Sequence, residues 1–103
     1  MQENWLASAG IYISPETLEK LKIDHGVAAT EVEEAIFNST RPYLIDRRPR
    51  HRTVPPSMWC IAPTAEGRLL KVIFKPYFEH ELIHVKSAYE PEDYEIAFYQ
   101  SQR

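Results

Sequence analysis

The residues best suited to chemistry stand close together: Arg47, Arg48, Arg50, His51 and Arg52. Guanidinium forks grip phosphate bidentately, and several in a short run would hold a polyanion. His51 adds a side chain that can exchange a proton near neutral pH. RNA cleavage needs that combination, because a base must take the 2′-hydroxyl proton while cations stabilise charge growing on phosphorus. His51, Arg52 and Arg50 are therefore the candidate catalytic residues, and Arg47 and Arg48 candidate phosphate contacts. The bland alternative is a solvated loop whose arginines pair with acids of the chain or of a partner.

Charge is unevenly distributed. Residues 41–52 carry five arginines against Asp46, a local +4, whereas the rest of the 103-residue chain sums to −7. An anionic partner should meet the protein near this segment.

The spacing predicts one domain over residues 1–103, with residues 1–10 a loosely ordered arm. Ser14-Pro15-Glu16 reads as a helix start. Leu18 and Leu21 supply an apolar stripe, and Gly26 a left-handed end. A second helix should begin at Thr30, with Glu33 at capping-box distance. Val32, Ala35 and Ile36 form its buried face, widened by Phe37. Strands are expected at Tyr43–Ile45, Trp59–Ile61, Leu69–Lys75 and Leu82–Ala88, with a further short one at Ile11–Ile13. Pro63–Gly67 is a turn, and Arg47–Pro56 an exposed loop or broken strand. Pro91 should start a last helix that buries Tyr94, Ala97 and Phe98. Runs of strands flanked by helices give an α+β class: an antiparallel sheet of about four strands, two N-terminal helices and one C-terminal helix.

Strict alternation puts Leu70, Val72, Phe74, Ile83 and Val85 on one face. Lys71, Lys75, His84 and Lys86 then share the other, a second candidate surface for a nucleic-acid backbone. Tyr77, Phe78 and Tyr89 could stack on bases. The alternative is the ordinary polar side of an antiparallel sheet.

His25, His51, His80 and His84 form no metal pattern, and with Cys60 the single cysteine a zinc site is not expected. No cofactor motif is present. Residues 15–38 are too acidic for a DNA-reading helix pair. The lone cysteine fits a reducing compartment. No signal-peptide pattern or membrane-length apolar run occurs, so the expectation is a cytoplasmic protein.

Asp24-His25-Gly26-Val27 followed by Glu33-Glu34-Ala35 resembles a segment of BrnT-type toxins. The resemblance continues through Glu66–Phe74 and ends at Ile83–Tyr89 and the acidic, aromatic last helix. It implies a RelE-like fold, metal-independent ribonuclease activity, RNA as substrate, and a cognate antitoxin as partner. Carried over singly, Arg52 lies near the arginine opening a family strand, Arg68 sits in the "G-R" turn, and Ser87 and Ala88 match the last strand. Tyr89 stands where the family usually has arginine, and with Lys71, Lys75, His84 and Lys86 it completes the expected RNA-binding set. The competing expectation is a non-catalytic module of this fold whose arginine segment docks an acidic protein.

Overall fold

A computed structural model describes residues 9–40, 43–47 and 53–102. Ser14 starts the first helix as its chemistry requires. Its hydroxyl oxygen accepts from the Thr17 N–H at 3.1 Å, and Pro15 occupies the first turn. Helix α1 (Pro15–Lys20) widens into a π turn over Leu21–His25, which ends at Gly26 with φ 62°. Leu21 and Val27 are buried, but Leu18 faces solvent.

Helix α2 spans Ala29–Asn38. Its first-turn contact is not the expected Thr30–Glu33 pair. Glu31 accepts from the Ala28 N–H at 3.0 Å, since the helix begins earlier than Thr30 and Glu31 occupies its first turn. Val32, Ala35 and Ile36 are buried as expected, whereas Phe37 is 75% exposed. One helix face can meet the sheet, and Phe37 lies off it.

The sheet has five strands: β1 (Gly10–Tyr12), β2 (Leu44–Ile45), β3 (Met58–Pro63), β4 (Leu69–Tyr77) and β5 (Leu82–Tyr89), in the order β1-β5-β4-β3-β2. The α+β class therefore holds. The β2–β3–β4–β5 ladder is antiparallel, and β1 adds a parallel edge to β5, so the sheet is mixed. The inner face carries Cys60, Ala62, Leu70, Val72, Phe74, Ile83, Val85 and Ala88, packed with Leu21, Val27, Val32, Ala35 and Ile36.

Strict alternation fails at one place in β5. Ile73 pairs with Ser87 and Phe74 with Val85, leaving Lys86 as the extra residue of a bulge. The bulge returns Ala88 to the core and turns Tyr89 outward, opposite Lys71. Alternation continued from Ile83 and Val85 would have done the reverse.

Helix α3 runs from Asp93 to Ser101, with Glu92 rather than Pro91 at its start. Its buried side also differs from expectation. Tyr94 and Phe98 are 73% and 54% exposed and Ala97 faces solvent, while Tyr99 is buried and Ile96 packs on the core. The helix is rotated to bring Glu95 onto Lys71. Among the described residues no helix is long and apolar enough to cross a membrane.

Candidate nucleic-acid interface

Strand register assembles the outer face. Trp59 lies opposite Ile73, Ile61 opposite Lys71, Lys71 opposite Tyr89, Lys75 opposite His84, and His84 beside Tyr12. Ile45, Met58 and Phe74 are successive cross-strand neighbours. Arg47 therefore leaves β2 at the same end of the sheet as Lys75 and His84. Two strand spacings, roughly 10 Å, separate Ile45 from Phe74. Arg48, Arg50, His51 and Arg52 lie outside the described residues.

The His84 ring is held between two tyrosines. Its centroid is 4.6 Å from that of Tyr77 and 5.0 Å from that of Tyr12, with the rings tilted by 51° and 49°. Among the described residues, neither imidazole nitrogen meets a hydrogen-bond partner, and Lys75, Lys86 and Arg47 have no ion pair. Lys75 and His84 are half-buried, and Lys86 and Arg47 are exposed. Against the described residues, three cations and an imidazole are thus left for an anion.

Lys71 is not available in this way. Its ammonium lies 2.8 Å from Glu95 Oε2, over the Trp59 ring at 4.4 Å and near the Tyr89 ring at 5.8 Å. Both partners' side chains are only 12% exposed. The Tyr89 hydroxyl donates to the same carboxylate at 3.4 Å, and the Glu92 N–H donates to Glu95 Oε1 at 2.9 Å. Burial opposes ionisation of Glu95, but the Lys71 hydrogen bond and the Glu92 N–H outweigh it and hold the carboxyl below its usual range. The structure thus separates Lys71 and Tyr89 from Lys75, His84 and Lys86. The former fasten α3, and the latter face outward.

Between β2, β3, β4 and α3 lies a cleft of about 960 Å³. Trp59, Ile73, Tyr94 and Phe98 give it an apolar lining, to which Arg47 adds a cation. The Trp59 and Phe98 rings stack at 6.2 Å.

Arg68 has a different task from phosphate binding. Its guanidinium donates to Glu90 at 2.7 Å, Glu31 at 2.9 Å, the Gly26 carbonyl at 3.0 Å and the His25 carbonyl at 3.2 Å. It closes the C-terminal end of the π turn, where unpaired carbonyls accumulate. It also ties that turn to the β3–β4 connection and to α2. The Ala28 N–H and then Arg68 hold the Glu31 carboxyl below its usual range.

Glu95, Trp59 and Tyr12 have structural or flanking roles that local sequence reading misses. Their partners are distant in the chain, and only the Lys71-Trp59-Tyr89 register would have exposed the cage. Comparison with protein-family models, curated proteins and solved structures finds no match. The resemblance to BrnT-type toxins is carried by the residues quoted above alone.

Proposed function

We propose that this chain is a toxin-like, metal-independent endoribonuclease of a type II toxin–antitoxin pair, neutralised by a cognate antitoxin in the cytoplasm. The observation that carries the reading is the cluster of Lys75, His84 and Lys86 on the outer sheet face, without neutralising partners among the described residues, at the end where Arg47 leads into the arginine segment. Such a face matches a phosphate backbone, and Tyr12 and Tyr77 supply rings beside it. Arg47, Arg48, Arg50 and Arg52 would hold the scissile region, with His51 as acid or base.

The test is incubation of the purified chain with single-stranded RNA in EDTA, beside Arg50→Ala/His51→Ala. Cleavage by the wild type, reduced in the double variant, is expected. Uncut RNA together with harmless expression would sink the reading.

A second reading is a non-catalytic module that docks an acidic protein segment. The cleft favours it, since exposed Tyr94 and Phe98 sit within reach of Arg47. Expression that is harmless, with RNA left intact, is the outcome this reading expects.

A further inference from the structure

We infer that His84, beside Lys75, is the group that takes the 2′-hydroxyl proton of a single-stranded RNA bound across β4 and β5. This rests on the ribonuclease reading, but takes the part of base from His51 and gives it to a residue of the sheet.

Three observations meet at this imidazole. Two tyrosine rings clamp it, so its plane is set before any ligand arrives. Neither of its nitrogens is claimed by another described residue, so a lone pair is available to a ligand. Lys75 lies directly opposite on β4, where paired side chains stand about 5 Å apart. Here the rings supply position and leave the polar atoms open. The other described histidines differ in placement, not in having open nitrogens: His25 precedes the helix-terminating glycine, with its ring on Tyr89, and His80 lies in the 3₁₀ turn Phe78–His80, so neither stands opposite a lysine on the sheet.

The step balances with solvent water alone. A His84 ring nitrogen takes the proton from O2′, and O2′ forms a bond to the adjacent phosphorus. The bond from phosphorus to O5′ breaks, and the departing oxygen takes a proton from water. The imidazolium then returns its proton to the hydroxide left behind. Lys75 faces the phosphate while charge grows on its oxygens. The products are a 2′,3′-cyclic phosphate and a 5′-hydroxyl. Tyr12, 45% exposed, offers its outer edge to a flanking base.

The experiment compares wild type and His84→Gln on a single-stranded RNA oligonucleotide, with an all-2′-deoxy oligonucleotide of the same sequence as the binding probe. The expected result is cleavage slowed by about 100-fold or more, the usual range for loss of a general base, while deoxy-oligonucleotide affinity, to which His84 contributes as one member of the outer face, falls by no more than roughly 5-fold. Cleavage by His84→Gln close to wild type overturns the inference while leaving the ribonuclease reading intact. Parallel loss of binding and cleavage also overturns it, by making His84 a binding group only. A wild type that leaves RNA uncut overturns both. Thermal unfolding checks the fold of the variant. Should it fail to fold, wild-type protein is treated with diethyl pyrocarbonate and the modified histidines are mapped by mass spectrometry. Activity loss must then follow His84, and loss that follows another histidine overturns the assignment.

Discussion

Lys71 and Glu95 join the sheet to the last helix through one 2.8 Å ion pair, closed over by Trp59 and Tyr89. A pair this enclosed is expensive to break singly, because the surviving charge keeps its desolvation cost. Glu95→Gln or Lys71→Met should each destabilise the protein by about 2–4 kcal/mol in urea unfolding. Lys71→Met/Glu95→Leu should cost less than the sum of the singles. Additive losses would show that the pair is not coupled.

The same pair sets an acid-side dependence. The Glu95 carboxyl is held below its usual value of 4.5 in the folded chain. Its contribution is thus complete above that value and is lost as pH falls through the lower folded value. Wild type should lose stability below about pH 4.5 more steeply than Glu95→Gln. Denaturant midpoints between pH 3 and pH 6 check this, and superimposable profiles would count against it.

Arg68 donates to Glu90, Glu31 and the carbonyls of His25 and Gly26. Arg68→Ala should cost about 2–3 kcal/mol, the scale of charged hydrogen bonds left unmade. Arg68→Lys should recover little, because an ammonium cannot span the same partners. Amide hydrogen exchange should rise at Gly26 and Val27 in both variants.

Cys60 is buried on the inner face, and that burial pushes its thiol up to about 12. The thiolate is the reactive form. Native protein at pH 8 should therefore resist iodoacetamide, and labelling should appear only with unfolding. Prompt labelling under native conditions would place Cys60 nearer solvent than this core allows.

If the outer face binds RNA, the free lysines should matter and the caged one should not. Lys75→Ala and Lys86→Ala should each weaken binding roughly 3- to 10-fold and lower the salt slope by about one unit. Lys71→Met should leave the slope unchanged. Equal effects at all three positions would remove the distinction drawn from Glu95.

Local chemistry made several elements legible before any tertiary contact was known. Ser14-Pro15 marks a helix start, Gly26 a left-handed stop, and Leu70-Val72-Phe74 an inward strand face, because each depends on backbone geometry or on a two-residue period. The grouping of Lys75 with His84 followed from the same period. What lay beyond reach depended on residues far apart in the chain. The β5 bulge at Lys86 moves Tyr89 outward, and no period announces it. The rotation of α3 follows Glu95 meeting Lys71, 24 residues away in sequence, so its apparent apolar stripe misled.

The α+β class, the run of strands between helices, and the uneven charge with its arginine-rich segment could all be read from the order of residues. These rest on local propensity, periodicity and composition. Which of the described cations are paired, as Lys71 and Arg68 are, and which have no ion pair among the described residues, as with Lys75 and Lys86, emerges from the folded arrangement alone. Pairing depends on side chains brought together across strands and helices, where a shift of one residue in register or one turn of rotation exchanges partners.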